Sequence, residues 1–282
     1  MTHRDRHSLG SVVAVALATS LLALFVLPIL ALVASTTPAA FVRAVGDPAV
    51  RLSVAFTLYA SAVALALSVV LGVPLGYLLA RRSFRGRGVV ESIVGLPVVV
   101  PHLVAGLALL FLFAPNTPVG RLFQWAGVPV FGTFVGVVLV MTYVSASYTV
   151  LASQLSFRAV DERLLESARS LGATRSQAFA TLTFPLALRG IVAGALLTWA
   201  RSVSEIGGFL ILAYTVYPGP GYAGPVTSPV SVYVYNLYQL GDLPGTAAVA
   251  SLFVLIAFGL FLTIRWLEHS GLLPWDGRAL SR

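Results

Sequence analysis

Cysteine and lysine are both missing from this 282-residue sequence. Without cysteine there are no disulfides, no thiolate metal sites and no cysteine nucleophile. Without lysine, all 18 basic residues are arginine. That excludes a Schiff-base amine and the lysine with which a Walker A loop holds phosphates, so any ATP the protein uses is hydrolysed by another chain. Charge is scarce too: 10% of residues are charged and 58% are hydrophobic, where a soluble domain carries about 25% charged residues. A surface this poor in charge cannot be kept in water, so the chain is an integral membrane protein. The formal charge of +8 follows from arginines gathered beside membrane helices, not from a nucleic-acid footprint. No internal repeat or low-complexity segment stands out.

Apolar runs predict six spans, at about residues 9–34, 53–80, 91–114, 131–155, 186–212 and 246–267. The first follows a basic start with Arg4 and Arg6, but it is roughly twice the length of a signal-peptide core. Gly72-Val73-Pro74 predicts a kink late in the second span. Pro97 and Pro101 break the third just before His102, a break tolerated where protein or a water-filled path covers the backbone. Residues 35–52, 115–130 and 213–245 are predicted loops, and in the last Ser228-Pro229 starts a short interfacial helix.

Fourteen of the 18 arginines fall in the N-terminal stretch, the 81–90 turn, the 157–189 excursion and the tail. Arg43, Arg51 and Arg121 occupy the alternate loops, and Arg201 lies inside a span. This bias predicts that both termini are cytoplasmic.

The excursion at 157–185 is the most highly charged interruption between apolar runs. Asp161 is placed to cap a helix whose apolar positions, Leu164, Leu165, Ala168 and Leu171, share one face. Gly172 follows where a left-handed C-terminal cap is wanted. Thr174-Arg175-Ser176-Gln177 fits the capping box of a second helix, and Pro185 marks the return to the membrane. The prediction is a cytoplasmic helical hairpin. An ordinary connecting loop is the alternative, but it would need neither the caps nor an uncovered apolar stripe, which calls for a protein partner. A DNA-binding helix-turn-helix is excluded by the membrane tether at both ends.

Glu166-Ser167-Ala168, Gly172 six residues after the glutamate, then Leu182, Phe184 and Pro185 resemble the EAA motif of ABC-importer permeases. Ser167, Leu182 and Phe184 depart mildly from its usual form; the Glu, Ala, Gly and Pro are in register. The stretches LPVVVPHLVAGLALLF, Pro118-Val119-Gly120 and WARSVSEIGGFLILAY look like molybdate/tungstate permeases. Pro101-His102 is most similar to the archaeal-type tungstate branch, and sulfate and thiosulfate permeases share much of the pattern. The resemblance implies an all-α integral membrane protein of the type I ABC importer permease fold, with residues 1–282 as a single permease domain. It implies that Glu166, Ala168, Leu171, Gly172, Ala173 and Pro185 form a coupling hairpin seated in a cytoplasmic ATPase subunit. It further implies a homodimer with two ATPase chains, which carry ATP and Mg, an extracytoplasmic oxyanion-binding protein, and no cofactor on this chain. The Gly/Pro-rich 217–225 segment has no counterpart in the pattern.

Arg201 and Glu205 lie one helical turn apart in the fifth span and are expected to pair. An arginine near mid-bilayer costs roughly 2.5–3.5 kcal/mol and normally faces a bundle interior or cavity. Two readings stand. In one, Arg201 lends positive potential to an oxyanion path while Glu205 prevents trapping. In the other, the pair fixes helix packing beside Gly207-Gly208. His102 is expected either to bond a carbonyl freed by Pro101 or to touch substrate. Ser145, Ser147, Ser202 and Ser204 offer hydroxyls to an anion or close packing to helices. An ATP-independent transporter or channel is the reading from another class, but Glu205 is the only clear intramembrane carboxylate for proton coupling. An intramembrane enzyme lacks any nucleophile–base set at plausible spacing.

Overall fold

A computed structural model describes residues 3–269 of the chain. The tail residues Arg278 and Arg282 lie outside the described residues, so their part in the charge bias has no structural counterpart here. Among the described residues the structure is helical, with isolated β-bridges only. In order the helices are α1 His3–Ala34, α2 Pro38–Gly46, α3 Pro48–Arg81, α4 Arg87–Val99, α5 His102–Phe113, α6 Pro118–Trp125, α7 Phe134–Ala159, α8 Glu162–Ser170 and α9 Arg175–Ala178. A π-helical segment, Phe179–Thr183, leads into α10 Phe184–Val203, followed by α11 Gly207–Leu212, α12 Val230–Gln239 and α13 Leu243–His269.

Five helical stretches are long and apolar enough to cross a membrane, or six if the bent pair α4–α5 counts as one crossing. The third predicted span, 91–114, is therefore not one rod: its halves meet at 116°. The joint is Val100-Pro101, where proline withdraws a backbone donor. The fifth predicted span, 186–212, also shifts. Its helix starts at Arg175 and ends at Val203, with Ser204–Ile206 as a break before α11. Pro185 does not interrupt this run because the π segment resets the hydrogen bonding ahead of it, the Phe184 N–H reaching back to the Phe179 carbonyl. Likewise α3 is one helix through Pro74.

Two predicted loops hold short helices. Thr37 and Thr117 accept the amides of Ala40 and Gly120, each with proline in the following first turn. Thr-Pro is thus an N-terminal signature twice over. The 213–229 stretch is folded back on itself. Val216 pairs with Thr227, Gly219 with Tyr222, and the Tyr222 hydroxyl donates to the Pro225 carbonyl at 2.6 Å.

The chain divides into two compact units. One comprises the N-terminal residues to Val50 with Val234–Leu262, the other mainly Arg51–Tyr233. Within the first, Thr36 and Ser251 hydroxyls lie 2.9 Å apart, tying the end of α1 to α13. The second is organised around α7, whose Val137, Val140 and Met141 are fully buried with Phe209 and Val216. Close backbone approach makes this packing possible. A Cβ on Gly76 of α3 would lie 2.8 Å from the Val150 carbonyl, and one on Gly194 of α10 would lie 2.3 Å from Ala152 Cβ. Small residues at membrane-helix contacts admit such proximity. The hydroxyls of Thr149 and Thr198, 2.7 Å apart, add a buried bond between α7 and α10.

Candidate functional site

The polar excursion forms helix, turn, helix. Asp161 Oδ1 accepts the Arg163 N–H at 2.9 Å and so starts α8. Gly172 adopts φ 94°. Its N–H donates to the Arg169 carbonyl and that of Ala173 to the Ala168 carbonyl, both at 3.0 Å. These are the two bonds of a Schellman cap, which requires a left-handed residue and so favours glycine. The capping box is complete: the Gln177 N–H donates to Thr174 Oγ1, and the Thr174 N–H to Gln177 Oε1. Local grammar alone therefore builds the hairpin.

What the hairpin leaves uncovered is equally informative. Leu171 is 89% exposed and Leu164 49%. Glu166, Gly172, Ala173 and Arg175 line a shallow hollow at the turn. Of the predicted coupling residues, Glu166, Gly172 and Ala173 meet there, Leu171 projects beside them, and Ala168 supplies the carbonyl that closes the cap. Pro185 is apart from them, in the first turn of α10.

A second polar site forms where two helix breaks meet. Arg201, in the last turn of α10, donates from Nη2 to Glu205 Oε2 at 2.9 Å. The same Nη2 lies 3.1 Å from Nδ1 of His102, the first residue of α5. His102 Nδ1 is also 3.4 Å from Glu205 Oε2. Glu205 is fully buried, and its other oxygen accepts the Gly208 N–H at 2.7 Å. Ser231 donates to the Glu205 carbonyl at 2.6 Å. Arg201 Nη1 reaches Ser204 Oγ only at 3.4 Å. The predicted Arg201–Glu205 pair is thus present, and His102 and Ser204 join it. His102 turns to the ion pair rather than to a freed carbonyl. Ser145, Ser147 and Ser202 do not join: each donates to a backbone carbonyl, those of Met141, Val94 and Trp199. The cluster is possible because α5 and α11 nearly touch. A Cβ on Gly106 would lie 2.8 Å from Gly208 Cα, and one on Gly207 2.7 Å from His102 Cβ.

Further polar residues surround the root of the hairpin, and sequence reasoning does not single them out. Arg81 donates to Glu162 Oε1 at 3.0 Å and to the Val160 carbonyl at 2.9 Å. Glu91 Oε1 accepts from Arg87, Gln154 and Arg158 at 3.1, 2.6 and 2.7 Å. The available signal was a lone acidic residue, Glu91, four positions after Arg87.

Residues 72–270 match the family described as the binding-protein-dependent transport system inner membrane component. A molybdate/tungstate transport system permease protein of Thermococcus kodakarensis is 34% identical over 226 residues, 80% of this chain and 82% of that one. A probable molybdenum ABC transporter permease protein of Haloferax volcanii is 38% identical over 260 residues, 92% of this chain and 90% of that one. The crystal structure of a bacterial alginate ABC transporter, in complex with an alginate pentasaccharide-bound periplasmic protein, superposes with a TM-score of 0.72 over 95% of this chain and 96% of that chain. At 19% identity that likeness concerns the fold. A capped polar hairpin with uncovered leucines, the membrane-crossing helices and the match over residues 72–270 agree: this multi-pass membrane chain belongs to the family of inner-membrane components of binding-protein-dependent transport systems, and is a transport component rather than an enzyme.

Proposed function

We propose that the chain is the permease subunit of an ATP-driven importer for molybdate or tungstate in the cell membrane, with both termini and the hairpin in the cytoplasm. Two copies pair, two ATPase chains holding ATP and Mg bind the hairpins, and an oxyanion-binding protein delivers substrate from outside. The observation that carries this reading is the hairpin: capped at α8 and α9, yet presenting Leu171 at 89% exposure. An apolar residue exposed on a capped polar hairpin suits a cleft in a protein partner. Closure of the ATPase pair on ATP moves the hairpins, and the spans attached to them switch access from one side to the other. The chain thereby couples two equilibria through differential contact with each state.

Substrate class rests on the relatives, two of which carry names for molybdate/tungstate or molybdenum transport. In the same reading Arg201, His102, Glu205 and Ser204 border the anion path. Arg201 supplies positive potential, and Glu205, already bonded to it, keeps a dianion from binding too tightly to leave. The test is uptake into vesicles carrying the chain with its ATPase and binding protein. ATP-dependent accumulation of labelled tungstate or molybdate is expected, with sulfate a weak competitor. Equal uptake by the chain alone without ATP would replace this function with a channel or secondary transporter, and preferred uptake of sulfate would replace the substrate.

A further inference from the structure

The covalent link from the membrane to the hairpin is weak at its first limb. Between the end of α7 and the start of α8, Val160 and Asp161 are both extended, at φ/ψ −74/118 and −63/126. Two consecutive extended residues form a swivel, because their dihedrals are not held by helical hydrogen bonds. A push entering through this limb is passed poorly to α7, whereas the second limb runs as unbroken helix from Arg175 to Val203.

A helix distant from the hairpin in sequence bridges this swivel. The end of α3 carries Tyr77 and Arg81 one turn apart and so on one face. One arm of the Arg81 guanidinium holds the Val160 carbonyl, an end group of α7, and the other holds Glu162, the first residue of α8. Arg81 thus bonds the joint itself and the first residue of α8. Its side chain is only 12% exposed, and its Nε is buried with no hydrogen-bond partner among the described residues. The Glu162 carboxylate is 76% exposed, so this ion pair adds little stability by itself. Holding the two groups at once requires a two-point planar fork, which arginine supplies.

Tyr77 completes the grip. Its ring packs edge-on against Phe157 in the last turns of α7 and Phe179 at the start of the π segment, both at 5.1 Å between centroids. One ring therefore contacts the roots of both limbs, while Gly76 beside it sits against the α7 backbone. We infer that Arg81 is a positioning residue for coupled transport: with Tyr77 it clamps the hairpin to the end of α3, stiffens the Val160-Asp161 joint, and makes α3 move with the hairpin when the ATPase closes.

This inference rests on the hairpin being the ATPase-coupling element, and the test keeps the two apart. The complete transporter, with ATPase and binding protein, is reconstituted with Arg81→Gln, Glu162→Ala, Glu162→Gln or Leu171→Asp, and tungstate imported per ATP hydrolysed is measured alongside ATPase retention. Arg81→Gln is expected to keep its ATPase and to hydrolyse ATP while importing about fivefold less per ATP, the lower end of ordinary coupling energies. Glu162→Ala, at a site too exposed to disturb folding, gives a smaller loss in the same ratio. Glu162→Gln, which keeps an oxygen for Arg81, stays near the unmodified chain. An unchanged ratio in both Arg81→Gln and Glu162→Ala overturns the clamp. So does failure of Arg81→Gln to assemble combined with a normal ratio in Glu162→Ala. Leu171→Asp reports on the underlying reading: if it too retains its ATPase and full coupling, the hairpin is not the docking element, whereas its failure beside a normal Arg81→Gln sinks the clamp alone.

Discussion

Leu164 and Leu171 of the hairpin face open space while their helices are capped at every turn that needs it. Around Arg201 the arrangement is reversed: Glu205 is fully buried and each of its oxygens has a donor, but the backbone on either side is broken at Val100-Pro101 and Ser204–Ile206. The hairpin is locally self-sufficient and incomplete toward the outside. The ion cluster is internally complete and depends on helices far apart in sequence. The proposed lever would need the first property, to hold its shape against a partner. A charged pair at the end of a membrane-crossing helix needs the second, because an unpaired charge in apolar surroundings is expensive.

The contrast is broken most severely by Glu205→Gln. Arg201, 16% exposed, would lose its carboxylate, and removing one partner of a buried pair costs about 3 kcal/mol or more. The expected result is a clear fall in the thermal midpoint of the detergent-solubilised protein. Adding Arg201→Gln should recover most of that loss by removing the stranded charge. The double variant then separates the two readings of the cluster: folded protein without oxyanion uptake supports the path, and folded protein with normal uptake leaves only the packing role.

Gly106→Ala comes next. Its new methyl would lie 2.8 Å from Gly208 Cα, so α5 and α11 must separate, at a cost of about 2 kcal/mol typical of overpacking. The same thermal measurement should also show that the change pushes His102 away from Arg201, by making the Arg201→Gln effect smaller in that background. Thr174→Ala should have the smallest effect. Loss of the capping hydroxyl costs about 1 kcal/mol and should appear as several-fold faster amide exchange at Gln177, with the membrane helices unaffected.

The same difference governs what the sequence discloses. The hairpin is legible because its signals are contiguous: Asp161, Gly172 and the Thr174–Gln177 box each act within six residues, and all three perform as their types predict. The cluster is legible only within one turn. Arg201 and Glu205 announce their pairing by spacing, but His102 is joined to them by a 116° bend whose direction no local pattern encodes. Span ends are misplaced for a related reason. Pro185 looks like a terminator, yet the π segment carries the helix through it, from Arg175 to Val203. Arg81 and Tyr77 are invisible in advance because their partners, Val160, Glu162, Phe157 and Phe179, are set by how α3 lies against α7.

The most direct test of the lever is Gly172→Val in the reconstituted transporter. Gly172 has open space around its Cα, so nothing blocks the side chain sterically; only the left-handed backbone at φ 94° resists it, a strain of about 1–3 kcal/mol for a non-glycine residue and worst for a β-branched one. The turn is therefore expected to open while the chain still inserts in the membrane, and tungstate or molybdate imported per ATP hydrolysed should fall severalfold. Import at the unmodified ratio, with the variant folded and its ATPase bound, would contradict the assignment of residues 157–185 as the coupling element.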